Sequence, residues 1–461
     1  MSYIELLQSL SNSVGDIVVT HPDTLAVAAR DESSFAAVLP LAVVVAHTTE
    51  DVIKTVKWCN STRTPITARG AGSALEGNTI PSENGIVLDL SEMNNILEVD
   101  VDNLQAVVEP GVIYDKLNER LRKDGLFFPP SPGGSADVAT IGGMVATNAS
   151  GIYSVKYGGT REHVLELEAV TGAGDLVTFG NRCVKRSSGY NFTDFLSGSE
   201  GTLAIVTRVT LRLKGLPQAK GQSAFRFPTE TAAVAAIAEM MRYGLDLAAV
   251  EYLGESTVRA VNKLRGYGIV EQPLLFLEAH GSDASVAETL ELAASVAESN
   301  EGEPLTLPAG QDPWEVRHYT TPAIKLYRDG WQIIRNDVGF PVAQLPQVVG
   351  YVHEQAARLR KERNTELELF TLGHCGMGVL HALMLADPND EASWGAGMQL
   401  NKLLKEYVLT IGGTLSGEHG IGLGHKDLFP LEHGEVALSL MRSIRKVFDP
   451  NGILNPGKIF D

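Results

Sequence analysis

The stretch TPITARGAGSALEGNTIP, residues 64–81, constrains this chain more than any other part of it. Its glycines and alanines leave a backbone almost bare of side chains, so the loop can approach a ligand closely. Consecutive unhindered N–H groups form a concave nest that suits a phosphate or pyrophosphate, and Arg69 and Ser73 add side-chain donors. The loop has neither Gly-x-Gly-x-x-Gly opening a helix nor Gly-Lys-Ser/Thr, so it predicts neither a Rossmann site nor a P-loop. A glycine-rich turn between strands is the alternative, and the accompanying motifs must decide between the two.

Composition excludes several classes of protein. The chain of 461 residues, 44% of them hydrophobic, is long enough for about two or three domains with real cores. Its formal net charge of -18 argues against a nucleic-acid partner and against binding to an anionic membrane surface. Its cysteines, Cys59, Cys183 and Cys375, are far apart and form neither a disulfide framework nor a Cys-x-x-Cys site, which indicates a reducing compartment.

The N-terminal sequence MSYIELLQSL is amphipathic and lacks the basic region and apolar core of a signal peptide. We find no apolar window that approaches the roughly 18 residues of a membrane span. We therefore expect no signal peptide, no membrane span and a cytoplasmic location.

The order of predicted elements indicates an α/β organisation with many short strands. LPLAVVVAHTTEDVIKTVKWCN reads as a β-branched strand followed by an amphipathic helix that opens at Thr48, and it leads into the glycine loop. After about residue 216, strand-like pieces alternate with alanine-rich helices, which predicts a second α/β or α+β domain.

Two further glycine-containing stretches accompany the first loop. In FFPPSPGGSADVATIGGMVATNASG, residues 127–151, prolines forbid regular structure and glycines let the backbone pass close to something flat or bulky. A linker is the alternative, but the small apolar residues between the glycines favour a packed wall over a solvated tether. In residues 195–213, a Gly-Ser-Glu-Gly turn leads into an alternating strand.

Ionisable residues set among glycines mark the last hundred residues. GHCGMGVLHALM carries His374 and His381, and SGEHGIGLGH carries Glu418, His419 and His425. Two histidines and a carboxylate form a ligand set that Zn, Mn, Fe or Co accepts. Histidines on surface turns are the alternative, since His-x6-His is not the spacing of a helical metal site.

Two arginines are candidates to hold an acidic substrate. Arg317 in WEVRHYTT and Arg335 in IIRNDV can each form a bidentate pair with a carboxylate. A solvated helix face is the alternative for either.

Taken in order, these motifs and the terminal NPGK resemble those of the FAD-linked D-2-hydroxyacid dehydrogenases of the vanillyl-alcohol-oxidase flavoprotein superfamily. The resemblance covers nearly the whole chain and is strongest to D-lactate dehydrogenases of the cytochrome- or quinone-linked type. D-2-hydroxyglutarate dehydrogenase and the glycolate oxidase FAD subunit are near relatives. It implies an α+β fold with a two-part FAD-binding domain over residues 1–216. It also implies an α/β substrate and metal-binding cap domain with an antiparallel sheet over 217–425, and a C-terminal segment, 426–461, that returns to the FAD domain.

The resemblance also assigns residues to the cofactor. The implied FAD-binding residues are Arg69, Gly70, Ala71, Gly72, Ser73, Gly77 and Asn78 of the first loop, Pro132, Gly133, Thr140, Gly142, Gly143, Thr147, Ser150 and Gly151 of the second stretch, and Glu200, Gly201, Ile205, Asn455 and Lys458 beyond it. Neither glycine-rich stretch contains the histidine that many superfamily members bond to the flavin. We therefore expect noncovalent FAD.

The remaining roles concern the reaction. The resemblance implies that His374, His381 and Glu418 bind a divalent metal and that His419 is the base. It implies that Arg317 and Thr321 meet the substrate carboxylate, with Arg335 as the other candidate. The implied activity is oxidation of D-lactate or a longer aliphatic D-2-hydroxy acid to the 2-oxo acid, by metal-assisted deprotonation and hydride transfer to flavin N5. Electrons then pass to a quinone, a cytochrome or an electron-transfer flavoprotein.

Other functions stay open at this point. D-2-hydroxyglutarate dehydrogenase and a glycolate oxidase subunit are the enzymatic alternatives, and a flavin-binding electron-transfer or regulatory subunit is the non-enzymatic one. An oxidase or aldonolactone-type enzyme of the superfamily would not need the metal ligands. A homodimer is compatible with the sequence.

The segment between the two histidines departs from the family pattern His-x-Gly-Asp-Gly-Asn-x-His. Met377 and Val379 stand where the aspartate and asparagine are usual, so polar groups that would orient the ligands are missing. At least one of the two is expected to form an apolar wall that favours monocarboxylic substrates. Cys375 is either a soft ligand or a small buried filler.

Overall fold

The computed structural model describes residues 2–307 and 313–460, and the chain divides into two units. Unit 1 comprises Met1–Gly151, Gly158–Leu216 and Glu418–Asp461, and unit 2 comprises Ile152–Tyr157 and Pro217–Gly417. The chain enters unit 2 after residue 216, where the sequence changes character. Residues 152–157 group with unit 2 and residues 418–425 with unit 1, whereas the sequence-based limits place them the other way round.

Unit 1 contains two sheets, a short strand pair and helices. Its strands are β1 Val18–Val19, β2 Val43–Val45, β3 Ile66–Arg69, β4 Ile86–Asp89, β5 Ile96–Asp100, β6 Gln105–Val108, β7 Leu126–Phe127, β8 Val164–Thr171, β9 Leu176–Gly180, β10 Ala204–Arg212 and β11 Lys214–Gly215. Its helices are α1 Tyr3–Val14, α2 Pro22–Ala28, α3 Thr49–Thr62, α4 Tyr114–Leu121, α5 Ile141–Thr147, α7 Phe192–Leu196 and α15 Phe429–Phe448.

The first sheet delivers the chain to the glycine-rich loop. Its order is β1-β2-β4-β3, with β2, β4 and β3 parallel, so the loop follows the carboxyl end of β3 at the sheet edge. The helix before it begins as the sequence predicts, because Thr48 caps α3 and forms a capping box with Asp51. Val52 and Val56 on one face of α3 are fully buried against this sheet.

The second sheet is antiparallel, in the order β5-β6-β10-β8-β9. The C-terminal segment joins the first sheet, because Ile66 N donates to the Ile453 carbonyl and Asn455 N to the Ile66 carbonyl, each at 2.9 Å. This contact places the NPGK motif beside β3 and the loop that follows it.

Unit 2 is built on one large antiparallel sheet. Its strands are β12 Ala219–Arg226, β13 Leu247–Leu253, β14 Leu274–Gly281, β15 Glu303–Pro304, β16 Gln332–Ile334, β17 Asp337–Gly339, β18 Glu368–Gly373 and β19 Val379–Ala386. Its helices are α6 Ser154–Tyr157, α8 Glu230–Arg242, α9 Glu255–Arg265, α10 Asp283–Ser299, α11 Pro313–His318, α12 Thr320–Lys325, α13 Leu345–Arg363 and α14 Glu391–Thr410. The order is β15-β12-β14-β13-β18-β19-β16, with β17 also paired to β19. The predicted α+β class with an antiparallel sheet in the second domain is confirmed.

Apolar cores cover both faces of this sheet, which explains why β13, LAAVEYL, is buried at every position. Val250 and Tyr252 face a core formed with α8, α13 and α14, while Ala249 and Leu253 face a second core formed with α9 and α12. Since side chains alternate along a strand, Glu251 points toward the second core.

We expect burial to decide the effect of leucine truncation in unit 2. Leu400→Ala on α14, where the side chain is 0% exposed, should lower the free energy of unfolding by about 2–5 kcal/mol through lost transfer energy and a cavity. Leu292→Ala on α10, 49% exposed, should change it by less than about 0.5 kcal/mol. Denaturant unfolding of both variants measures the difference, and equal effects would contradict this packing of α14.

Candidate functional site

The two glycine-rich stretches lie side by side in unit 1. Gly70 tolerates no side chain, because a Cβ there would overlap the Thr140 hydroxyl. Thr140 is the N-cap of α5, and its Oγ1 accepts from Gly143 N at 3.3 Å. Gly72 and Gly77 have φ of +70° and +76°, which favour glycine. The residues predicted to contact one cofactor are therefore neighbours.

A cavity of about 330 Å³ borders both stretches. Ala71 of the first and Val138 and Thr140 of the second line it, together with Ser91, Asn94, Ile96, Gly111, Val112, Ile113 and Lys116. A Cβ at Gly133, Gly134 or Gly201 would meet no atom within 4 Å, so these glycines border open space. A backbone bare of side chains beside open space fits a large flat ligand with a phosphate group.

Other glycines of the second stretch serve close packing. A Cβ at Gly142 would overlap Pro110, and one at Gly151 would overlap the Ser131 carbonyl. Ile205, predicted to contact the cofactor, is 2% exposed and belongs to the core of the first sheet. Lys458 is also buried, and its Nζ donates to the Ile80 carbonyl at 2.8 Å.

Arg69 lies beneath the loop. Its Nη1 donates to the Arg30 carbonyl at 2.7 Å, and a Cβ at Gly72 would overlap its guanidinium. Burial lowers the pKa of Arg69, and the nearby charges of Asp89 and Asp31 oppose that shift. Arg69 thus packs against the backbone of the loop at Gly72. The sequence predicted a contact with a pyrophosphate and did not predict this packing.

Glu200 ties four segments of unit 1 together. Its carboxylate accepts from Asn78 Nδ2 at 2.7 Å, Ile421 N at 2.6 Å and Gly422 N at 2.9 Å. Asn455 Nδ2 donates to the carbonyls of Asn78 and Glu200 at 2.9 and 2.8 Å. Burial raises the pKa of Glu200 despite these bonds. The structure therefore gives Glu200, Asn78 and Asn455, all predicted to bind the cofactor, polar partners within the protein.

The last part of unit 1 begins at Glu418, the second residue of the Gly-Glu-His-Gly motif. Ser150 Oγ donates to Glu418 Oε2 at 2.8 Å. The carboxylate of Glu76 faces two imidazoles, with His419 Nδ1 3.8 Å from Oε1 and His425 Nε2 3.3 Å from Oε2. Burial would raise the pKa of Glu76, but the two histidines outweigh burial and lower it to about 2.

In unit 2, one buried carboxylate joins Arg317 to His374. Glu251 Oε1 lies 2.6 Å from His374 Nδ1, and Glu251 Oε2 accepts from Arg317 Nε. Burial would raise the pKa of Glu251, but Arg317 and His374 outweigh burial and hold it below its usual value. Trp314 and Val316 anchor α11 in the core and so place Arg317 over this carboxylate.

His381 has a buried carboxylate of its own. Asp337 lies opposite His381 in the pairing of β17 with β19, and Oδ1 is 3.4 Å from His381 Nδ1. Ser416 Oγ donates to Asp337 Oδ2 at 3.0 Å. The rings of His374 and His381 are 5.5 Å apart and perpendicular. Glu251 holds His374 at Nδ1 and leaves Nε2 for a metal, and Asp337 places a negative charge near Nδ1 of His381, so this donor set fits metal ligation.

The segment between the two histidines is packed into the protein. Cys375 Sγ lies 3.6 Å from the Val379 carbonyl within the α8–α13–α14 core, and burial raises the pKa of its thiol. Cys375 is 0% exposed within this core, so its thiol packs as a small buried filler. Val379 is 4% exposed and covers Gly417, which leaves the half-buried Met377 as the residue able to border a substrate.

Two other residues of unit 2 are predicted substrate contacts. Thr321 is exposed on α12, and Arg335 is half-buried between β16 and β17. Sequence reasoning missed Glu251, Asp337 and Glu76. The one available signal was a single carboxylate inside an otherwise apolar strand, LAAVEYL, because a buried charge needs a partner.

Comparison with known proteins finds two family models and several relatives that match this chain. An "FAD binding domain" model matches residues 40–180, and an "FAD linked oxidases, C-terminal domain" model matches residues 216–459. The mitochondrial D-lactate dehydrogenase [cytochrome] of Arabidopsis thaliana is 34% identical over 99% of this chain and 80% of its own length. The D-lactate dehydrogenase of Archaeoglobus fulgidus is 34% identical over 94% of this chain and 93% of its own. D-2-hydroxyglutarate dehydrogenase of Stutzerimonas stutzeri is 29% identical over 96% of both chains.

Among solved structures, p-cresol methylhydroxylase superposes with a TM-score of 0.81 over 100% of this chain and 97% of its own, at 18% identity. The 4-ethylphenol oxidase of Gulosibacter chungangensis gives 0.80 over 99% and 97%, at 17% identity. These two likenesses show the vanillyl-alcohol-oxidase type of fold. The sequence matches establish that the chain belongs to the FAD-linked D-2-hydroxyacid dehydrogenase family.

Proposed function

We propose that this protein oxidises D-lactate or a longer aliphatic D-2-hydroxy acid to the 2-oxo acid at noncovalent FAD. The observation that carries the proposal is that the buried carboxylate of Glu251 contacts both Arg317 and His374. Arg317 is suited to bind a carboxylate, and His374 is suited to bind a metal. A 2-hydroxy acid presents a carboxylate and a hydroxyl on adjacent carbons. Recognition of such a substrate requires a cation for the carboxylate and a metal ligand near the hydroxyl, and Glu251 positions one residue of each kind.

Arg317 binds the substrate carboxylate in this proposal. With Nε on Glu251, the guanidinium presents its Nη1–Nη2 edge for a bidentate pair. Glu251 fixes the orientation of that edge and is itself kept ionised by its two partners. Thr321 and Arg335 remain predicted contacts of the substrate.

His419 accepts the hydroxyl proton. A histidine's ordinary pKa near ~6.5 suits it to act as a base close to neutral pH. His374 and His381 supply two ligands to a divalent metal, Zn, Mn, Fe or Co, and Glu418 is predicted from the resemblance to supply the third. The metal, when bound, lowers the pKa of a coordinated hydroxyl, and FAD, when bound, takes up the hydride from the substrate's Cα.

The physiological acceptor is proposed to be a quinone, a cytochrome or an electron-transfer flavoprotein, and the assembly a homodimer. In the part of the chain that the structure describes, no helix is both long and apolar enough to cross a membrane. A cytoplasmic location stays a prediction from the sequence, and the Arabidopsis relative is named as mitochondrial.

The second candidate is oxidation of a dicarboxylic substrate. Arg335 supports this candidate, because its guanidinium can pair with a second carboxylate of the substrate. One relative is also named D-2-hydroxyglutarate dehydrogenase. A third candidate substrate is glycolate, because the glycolate oxidase subunit GlcD of Bacillus subtilis is 30% identical over 92% of this chain. A noncatalytic flavin subunit is disfavoured by the presence of both histidines, Glu418 and His419.

We expect the flavin to be noncovalent, because neither glycine-rich stretch carries a histidine. Acid precipitation of the purified protein should leave the yellow colour in the supernatant, where its absorbance identifies FAD. Colour that stays in the washed pellet would show a covalent bond.

Arg317→Met should raise the KM for D-lactate by roughly 10- to 100-fold, because a charge-assisted pair worth about 1.5–3 kcal/mol is lost. The FAD content should not change. Arg328→Met is the matched control, since Arg328 is another arginine of unit 2 paired with a carboxylate, Glu368, at 2.6 Å. An unchanged KM in the Arg317 variant would move the substrate carboxylate to Arg335 or elsewhere.

We expect the enzyme to prefer monocarboxylic substrates with aliphatic side chains. Met377 supplies an apolar wall, which gains about 0.8 kcal/mol per methylene that it covers and offers no partner to a second carboxylate. Comparison of kcat/KM for D-lactate, D-2-hydroxybutyrate, D-2-hydroxyisocaproate and D-2-hydroxyglutarate tests the preference. A clear lead for the dicarboxylate that disappears in Arg335→Met would instead establish the second candidate.

A further inference from the structure

The first glycine-rich loop carries a buried carboxylate that no part of the proposed reaction uses. Glu76, in GSALEGN, is 4% exposed. Its Oε1 lies 3.8 Å from Nδ1 of His419, and its Oε2 lies 3.3 Å from Nε2 of His425. His425 is 1% exposed, so Glu76 is enclosed between two imidazoles of unit 1.

The Gly-Glu-His-Gly segment is shaped to fit Glu76. Leu423 N donates to the Glu76 carbonyl at 2.7 Å. A Cβ at Gly422 would overlap that carbonyl, and a Cβ at Gly424 would overlap the Glu76 carboxylate. Two glycines of GEHGIGLG are therefore needed for the segment to pack on this one residue.

The backbone on both sides of Glu76 is also held. Glu76 N donates to Asn78 Oδ1 at 3.2 Å, and Asn78 Nδ2 donates to the His419 carbonyl at 3.3 Å. The loop and the histidine segment are thus joined at main chain as well as at side chain. The position of the carboxylate behind His419 follows from this double attachment.

A carboxylate behind an imidazole has a definite chemical effect. The negative charge of Glu76, 3.8 Å from Nδ1 of His419, favours the tautomer with the proton on Nδ1, which leaves Nε2 as the acceptor for a proton. His425 lies at the opposite carboxylate oxygen and limits rotation of the group.

We propose that Glu76 is a positioning residue for His419, so that the same loop that approaches the cofactor also orients the base. The inference rests on the proposed function, because it takes His419 as the group that accepts the hydroxyl proton. Glu76 contacts neither substrate nor reacting atoms in this role and acts through the imidazole alone.

The test compares Glu76→Gln and Glu76→Asp with wild-type holoenzyme. The matched control is Glu168→Gln, which neutralises another largely buried carboxylate of unit 1, paired with Arg208 at 2.8 Å. Flavin reduction by D-lactate is followed anaerobically by stopped flow, in H2O and in D2O, and the FAD content is measured for each protein.

We expect Glu76→Gln to lower the limiting rate of flavin reduction about 100-fold while KM and FAD content change little. The solvent isotope effect should rise, because proton removal becomes slower relative to hydride transfer. Glu76→Asp should recover about tenfold of the loss and stay about tenfold below wild type, because it restores the charge but withdraws it from His419, and Glu168→Gln should match wild type. A merely structural role for Glu76 would change FAD content or yield and leave the isotope effect alone.

A wild-type limiting rate in Glu76→Gln would overturn the inference, as would a loss of activity that only follows a loss of FAD. Should Glu76→Gln fail to accumulate as holoenzyme, Glu76→Asp decides alone, because a wild-type rate there contradicts a role that depends on the position of the carboxylate. If D-lactate and the other 2-hydroxy acids reduce neither wild type nor Glu168→Gln, the proposed function itself fails. Reduction of both, with no effect at Glu76, removes only the inference.

Discussion

The organisation of both units depends on the cost of burying a carboxylate. An ionised group removed from water costs several kcal/mol unless other groups of the protein pair with it or donate to it. Glu76, Glu200, Glu251 and Asp337 are all buried, and each is met by donors or cations from distant parts of the chain. Each carboxylate therefore selects one arrangement of the segments around it, because any other arrangement leaves a charge unpaired.

The same constraint prepares the chemistry. Glu251 keeps Arg317 and His374 in fixed orientations, and Asp337 places a negative charge beside His381. The segment between the two histidines is apolar and packed, with Cys375 and Val379 buried. The carboxylates next to His374 and His381 therefore come from other strands, β13 and β17.

Part of this arrangement was predictable because it depends on local sequence. The Thr48 cap, the α3 helix and the change of character after residue 216 follow from neighbouring residues. The bare backbone of the glycine-rich loop was also predictable, since the absence of side chains is a local property of the sequence. The internal partners of Arg69 and Glu200 and the burial of Ile205 were not predictable, because they depend on segments far away in the sequence.

The sequence by itself determined the class of protein, the two-domain order, the glycine-bare loop and the residue types available for ligation, because these depend on composition, spacing and the order of motifs. Only the tertiary structure decided which carboxylate stands behind which imidazole. Glu251 and His374 are joined by the pairing of β13 with β18, and Glu76 and His419 by the packing of Gly422 and Gly424 on a loop more than three hundred residues earlier. Such pairings arise from sheet register and close backbone contact, which are long-range properties that no local pattern encodes.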